Sequence, residues 1–160
     1  MKRLFACFIV AVIAVFAMIG ARENYHPLKT SGSVPEAPYT QEIVPVEGIR
    51  MEVVEGSVTS LAATVAYVNE TESTYTYGEG FSLQKLVDGR WYTMSWINDN
   101  VAFIAIGYLL EPGRVEKEYS WKLMHGEMEP GEYRIVTDVF PNEDAPGSDP
   151  ILLAAPFTIE

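Results

Sequence analysis

The sequence predicts an all-β protein, built as a sandwich of antiparallel strands. Short segments in which apolar and polar residues alternate recur from about residue 48 to residue 160. Turns containing Gly and Pro separate these segments, and no helical periodicity is visible after residue 22. Short strands joined by such turns are typical of a sandwich or a barrel.

The turn before the strand 132–140 favours the sandwich. Pro130 and Gly131 form this turn, and Tyr133 opens the strand that follows. A tyrosine in this place is the tyrosine corner, whose hydroxyl bonds back to the main chain a few residues upstream. The sequence therefore predicts an immunoglobulin-like β-sandwich of seven to eight antiparallel strands, preceded by an N-terminal hydrophobic helix.

The remaining strands follow from alternation and from turn residues. Gly78 and Gly80 permit a bend or bulge within the third strand. Asp88 and Gly89 predict a hairpin, since both positions accept a positive φ. The predicted strands are 49–53, 58–68, 74–87 with its bend, 91–94, 115–123, 132–140 and 151–159.

An uninterrupted apolar run covers residues 101–110. Periodicity alone does not separate a buried strand from a buried helical turn here. The length of the run, Gly107 inside it and Pro112-Gly113 just after it favour a strand.

The first 21 residues predict an export segment. Lys2 and Arg3 precede an uncharged run over residues 4–21, which is close to the length that spans a bilayer. The alternatives are a cleaved signal peptide and a membrane anchor, because the end of the run offers only poor cleavage sites. The rest of the chain is then extracytoplasmic, either membrane-anchored or secreted, and touches the membrane only through residues 4–21.

The remaining chain divides into two parts. Residues 22–47 contain four prolines and show no hydrophobic period, so they are expected to form a Pro-rich linker. An edge strand over residues 42–46 is the alternative, since proline suits an edge. Residues 48–160 form the sandwich domain.

Charge and cysteine content exclude several functions. The chain carries 11 basic and 22 acidic residues, a net charge of −11, whereas nucleic-acid-binding proteins carry a basic footprint. The single cysteine, Cys7, lies in the apolar N-terminal run. The domain therefore has no disulfide, no cysteine-based zinc site and no cysteine nucleophile.

No constellation for catalysis is visible. His26 and His125 lie too far apart in sequence and context for a zinc site, and no serine stands in a nucleophile motif. We therefore expect no enzyme and no cofactor. The loop 141–150 carries several oxygen ligands that could bind calcium, but it lacks the EF-hand spacing, and a solvated acidic loop is the alternative.

The aromatic residues offer the best candidate site. By parity, Tyr119 and Trp121 are expected to face the core, together with Trp91 as the large central residue of the sandwich. Trp96 and Tyr92 are expected to be less buried, and they form the candidate binding surface. The alternative is that Trp96 folds over the end of the sandwich.

Several short motifs, in this order, resemble a bacterial immunoglobulin-like domain of exported, mainly Gram-positive proteins. The resemblance covers residues 48–160 and implies a β-sandwich on a secreted or membrane-tethered protein, without catalytic residues. Proteinase-inhibitor domains of the same form are more distantly similar. The motifs are Tyr77-Gly78, Phe81-Ser82-Leu83-Gln84-Lys85-Leu86, Asp88-Gly89-Arg90-Trp91-Tyr92, Leu110-Glu111-Pro112-Gly113, Pro130-Gly131-Glu132-Tyr133-Arg134-Ile135 and Phe157-Thr158-Ile159.

The sequence leaves three functions open. The first is a module that binds a protein or a cell-wall component, which predicts an exposed apolar or aromatic patch. The second is a purely structural domain, which predicts an evenly polar surface. The third is an inhibitor of secreted proteases, which predicts one protruding loop, with 95–100 and 141–150 as candidates.

Overall fold

The computed structural model describes residues 35–38, 43–98, 100–142 and 149–160. The predicted export segment and most of the predicted linker lie outside these residues. The described elements are β1 (Pro35–Pro38), β2 (Ile49–Val53), β3 (Ala62–Asn69), β4 (Tyr75–Tyr77), β5 (Ser82–Val87), β6 (Arg90–Met94), β7 (Tyr108–Leu110), β8 (Gly113–Ser120), α1 (Lys122–His125), β9 (Gly131–Pro141) and β10 (Ile151–Ile159).

These strands form two antiparallel sheets, as the sequence predicts for a sandwich. The large sheet has the order β1-β6-β5-β9-β4-β7, with β10 on the other side of β9, and the small sheet has the order β2-β3-β8. The consecutive strands β7 and β8 belong to different sheets, so the chain crosses between the sheets at Glu111 and Pro112. β1 lies within the range assigned to the linker and pairs with β6.

The expected bulge separates β4 from β5. Both strands pair with the same side of β9, through Tyr77 with Val139 and Ser82 with Val136. Between these two pairs the chain advances by five positions in one strand and by three in β9, so two extra residues bulge out. The Thr137 hydroxyl donates to the carbonyl of Gly80 at 3.0 Å and fixes the bulge.

The hairpin between β5 and β6 is confirmed. Asp88 and Gly89 both have positive φ, 50° and 74°, and the flanking Val87 pairs with Arg90. Positive φ at both central positions matches the right-handed twist of the two strands.

The core lies between the sheets, and Trp121 and Tyr119 are buried in it as predicted. The prediction for Trp91 is wrong. The β5–β6 register pairs Trp91 with Leu86, on the face opposite to the buried Leu83. Trp91 is therefore half-buried on the outer face, where the guanidinium carbon of Arg134 lies 4.3 Å from its ring centroid.

Two further expectations concern strand length. The predicted strand 115–123 ends at Ser120, which pairs with Ala62, the first residue of β3. One more bond follows, from the amide of Trp121 to the carbonyl of Leu61 at 3.0 Å. The chain turns instead into α1, where the amide of His125 donates to the carbonyl of Trp121 at 2.8 Å. Leu123 consequently lies at the surface, 69% exposed.

The predicted strand over residues 101–110 is also wrong for most of its length. Only Tyr108–Leu110 is a strand, and residues 101–107 have no regular structure.

Within the described residues, the helix content offers no candidate for a membrane-spanning segment.

Candidate binding surface

The tyrosine corner closes the end of the sandwich where β9 begins. Tyr133 is 1% exposed, and its hydroxyl donates to the carbonyl of Glu129 at 2.9 Å. Its ring stacks on Phe157, with centroids 5.8 Å apart. A Cβ at Gly131 would lie 3.3 Å from the Tyr133 ring, so the preceding turn with Pro130 depends on this close approach. These contacts give the corner a structural role.

The structure places Trp96 and Tyr92 in different surroundings. Trp96 is half-buried, and its ring meets Phe103 edge-on at a centroid distance of 5.8 Å. Tyr92 is half-buried in β6. It pairs with Lys85 of β5, which on its other side pairs with Tyr133 of β9. The ring of Trp96 contacts Phe103, and no ring contact joins Trp96 to Tyr92 within the described residues. Their role in binding stays a prediction.

The loop after β6 is fastened to α1. The amide of Ile97 donates to the carbonyl of Met124 at 2.7 Å, and the His125 Nδ1 lies 3.1 Å from the carbonyl oxygen of Ser95. Burial lowers the pKa of His125 below its usual range. The described part of this loop is therefore held against the body of the domain.

An exposed aliphatic surface lies at the far end of β9, away from the tyrosine corner. Four large apolar side chains are open to solvent there: Ile104 (62%), Ile106 (46%), Leu109 (64%) and Phe140 (43%). We call these four residues the apolar edge. Tyr133 and Phe140 are seven residues apart in one strand, so the edge and the corner are separated by roughly 23 Å.

Strand register joins two members of the apolar edge, Leu109 and Phe140. Leu109 in β7 and Phe140 in β9 both pair with Thr76, which lies between them in β4. The three side chains therefore form one row on the outer face of the large sheet, with Leu109 and Phe140 about 10 Å apart.

The segment before β7 packs closely against β4, and small residues allow this. The carbonyl oxygen of Ile106 lies 3.5 Å from the position that a Cβ of Gly78 would occupy. A Cβ at Gly107 would lie only 2.9 Å from Cγ2 of Thr76. The amide of Ile106 also donates to the carbonyl of Ile104 at 3.0 Å, which closes a tight turn. This turn brings both isoleucines to the surface beside β7.

A polar cluster supports β7 from the inner side. The Lys117 ammonium pairs with the Glu79 carboxylate at 2.6 Å and lies 4.4 Å from the centroid of the Tyr108 ring. The Tyr108 hydroxyl donates to the same carboxylate at 2.5 Å. Hydrogen bonds from Lys117 and Tyr108 lower the pKa of Glu79 below its usual range. Asn69 adds a bond from its Nδ2 to the carbonyl of Leu110 at 3.2 Å.

The described residues offer little support for metal binding or acid–base catalysis. They contain no group of three or more His, Cys, Asp or Glu side chains placed to hold a metal ion. Burial raises the pKa of Tyr119 to about 12 and also raises that of Tyr67, so both phenols stay protonated at neutral pH. Residues 143–148 of the candidate calcium loop lie outside the described residues.

Sequence reasoning misses the apolar edge, because an uninterrupted apolar run such as 101–110 predicts a buried segment. A signal was available. In a two-layer antiparallel sandwich each strand has one face toward the core and one away from it. An uninterrupted apolar run that joins such a sheet must therefore expose part of its side chains.

Two packed antiparallel sheets, with the strand crossing between them and the tyrosine corner, define an immunoglobulin-like sandwich. A family model described as a bacterial Ig-like domain matches residues 45–157. This match covers most of the chain, which therefore belongs to the bacterial Ig-like domain family, as the resemblance implied. No curated protein matches the chain.

Proposed function

We propose that this chain is a non-enzymatic extracytoplasmic module, which binds a protein or a cell-wall component through the apolar edge. The observation that carries the proposal is the exposure of Leu109 and Phe140 in one row of the large sheet, with Ile104 and Ile106 exposed in the segment just before β7. Burial of apolar surface is favourable by roughly 25 cal/mol per Å². Contiguous apolar surface on a soluble domain therefore marks an interaction site.

The outer face of the small sheet is of the opposite character. Arg50 pairs with Glu70 at 2.6 Å, and Arg114 pairs with Glu116 at 3.1 Å and with Glu52. These exposed ion pairs cover the face with solvated charge. A purely structural domain is expected to be polar on all sides, so the contrast between the two faces supports a binding function.

Two features bear on the enzymatic and inhibitor alternatives. Membership of a bacterial Ig-like family, which is generally non-catalytic, supports a non-enzymatic module. A protease inhibitor needs a protruding loop, but Ile97 is bonded to Met124 and the Trp96 ring packs on Phe103. The loop 95–100 therefore gives the inhibitor alternative little support, and most of the loop 141–150 lies outside the described residues.

The proposal can be tested by photo-crosslinking in intact bacterial cells that produce the full chain. A photoreactive phenylalanine analogue replaces Leu109 in one variant and Leu123 in a control, since the two residues are 64% and 69% exposed. We expect an adduct from position 109 alone, and its mass identifies a protein or a glycan. Degradation of the domain by protease added to intact cells tests its extracytoplasmic location. Equal adduct yields from both positions would contradict binding through the apolar edge.

A further inference from the structure

We infer that the apolar edge receives an extended segment of a basic partner protein, which adds to the large sheet as a strand beside β7. This inference rests on the proposed function and deepens it, because it selects a protein over a cell-wall glycan and gives the mode of binding.

The free edge of β7 supplies the main-chain groups. β7 pairs with β4 through Tyr75 with Leu110 and Tyr77 with Tyr108, and no other described strand pairs with its far side. Such an edge presents a row of N–H and C=O groups to another chain. Proteins protect edges by keeping the edge strand very short, or with Lys, Pro or inward-pointing charges. β7 is short, with three residues, but its sequence Tyr-Leu-Leu contains neither a charge nor Pro.

The side chains around this edge select aliphatic partners. Leu109 projects from the outer face of β7, and Ile104 and Ile106 lie exposed in the segment that leads into it. A sugar placed against these aliphatic side chains would lose hydrogen bonds between its hydroxyls and water. Valine or leucine side chains of a strand would instead bury apolar surface against the edge. In strand addition the main chain gives affinity and alternate side chains give specificity.

The charge around the edge selects a basic partner. The stretches 69–81, 91–113 and 135–160, which include β4, β7 and the end of β9, contain no Lys, Arg or His. Glu111 directly follows β7, and Asp138 lies in β9 two residues before Phe140 and on the same face; both are exposed. Lys117, on the inner side, is paired with Glu79 at 2.6 Å, and Arg114, which follows β7 after the crossing, is paired with Glu116 at 3.1 Å. The exposed acidic side chains beside this edge therefore favour a cationic segment.

The same charge disfavours a second copy of the chain as the occupant. A two-fold dimer would place identical patches in contact. Each copy has a net charge of −11, so the acidic surroundings of both edges would meet. Like charges in contact oppose association.

The test uses the full chain and synthetic peptides of about eight residues, a usual strand length. One peptide alternates Val and Lys, a second alternates Val and Glu, and a third repeats the Val-Lys sequence with N-methyl groups on alternate amides. Binding is measured by fluorescence anisotropy. Amide exchange of the labelled protein is followed by NMR with and without the Val-Lys peptide.

We expect binding of the Val-Lys peptide, with slowed exchange of main-chain amides within Tyr108–Leu110. The N-methylated peptide, which lacks donors for the edge, should bind at least tenfold more weakly, and so should the Val-Glu peptide. Leu109→Thr keeps a good strand residue at this position but removes the aliphatic contact. It should weaken binding at least tenfold, whereas Leu123→Thr should not.

Three results would overturn the inference. Equal affinity for the N-methylated peptide would show binding by charge alone. Protection confined to residues outside β7 would place the peptide elsewhere. A dimer that forms without peptide and dissociates in Leu109→Thr would make a second copy the occupant. If position 109 still crosslinks to a partner in cells, any of these results would remove only strand addition, and the proposed function would stand.

Discussion

Replacing Tyr133 by Phe tests the stabilising contribution of the tyrosine corner. The substitution removes only the hydroxyl that donates to the carbonyl of Glu129 at 2.9 Å, and it keeps the ring that stacks on Phe157. A hydrogen bond of this kind contributes roughly 0.5–1.5 kcal/mol net, and a buried acceptor left without a partner costs more. Glu129 is exposed, so water can reach its carbonyl. We therefore expect a loss of about 1 kcal/mol.

Urea unfolding of the full chain, followed by tryptophan fluorescence, measures this loss. The midpoint should fall while the slope stays unchanged, because the surface exposed on unfolding is the same. For a domain of this size 1 kcal/mol corresponds to a decrease of roughly 4 °C in Tm. Tyr75→Phe is the matched control, since Tyr75 is 8% exposed and its hydroxyl has no hydrogen bond within the described residues.

The reasoning is refuted if Tyr133→Phe costs no more than Tyr75→Phe. The corner hydrogen bond would then add nothing to stability, and the ring packing alone would hold the turn. A loss well above 3 kcal/mol would be equally informative, because it would mean that the Glu129 carbonyl is sealed from water in the variant.

Three further predictions concern pH and packing. Burial lowers the folded-state pKa of His125, so the unfolded chain binds the proton more readily. Urea titrations at a series of pH values should show the free energy of unfolding fall below pH about 6.5, and fall less in His125→Gln. The pKa of Tyr119 is raised to about 12, so stability should be lost between pH about 10 and 12, and the absorbance at about 295 nm should show delayed ionisation in the folded protein. Gly107→Ala would place a Cβ 2.9 Å from Cγ2 of Thr76 and should lower the free energy of unfolding by about 1 kcal/mol. Adding Thr76→Ser to this variant removes that methyl group and should recover the lost stability.

Features set by local chemistry were predictable from the sequence. The hairpin at Asp88-Gly89 requires positive φ at two positions, and these residue types accept it. The alternation in β9 and β10 places every second residue in the core, and the register between Ile151 and Val139 preserves that parity along both strands. A local signal is sufficient for such elements because the pattern that identifies the strand also decides which face is buried.

Features set by distant partners were not predictable. The strand over 115–123 shows good alternation to its end, yet β8 stops at Ser120, which pairs with Ala62, the first residue of β3. The turn before β3, where Thr59 bonds to Ala62, determines that limit. The prediction that Trp91 faces the core fails for a related reason. The orientation of Trp91 depends on its register with Leu86 and not on its size.

The apolar edge shows how a wrong structural prediction can indicate function. A strand that is apolar on both faces is stable when both faces are covered, as in parallel sheets with helices on each side. No helix in the described part of this chain covers the large sheet beside β7, so the run 101–110 leaves Ile104 and Leu109 in water. Natural sequences tend to break local folding rules at functional sites. Polar residues at these positions would be expected to leave the fold intact, because the exposed side chains contribute little to the core. Their apolar character is therefore better explained by a partner than by the stability of the domain.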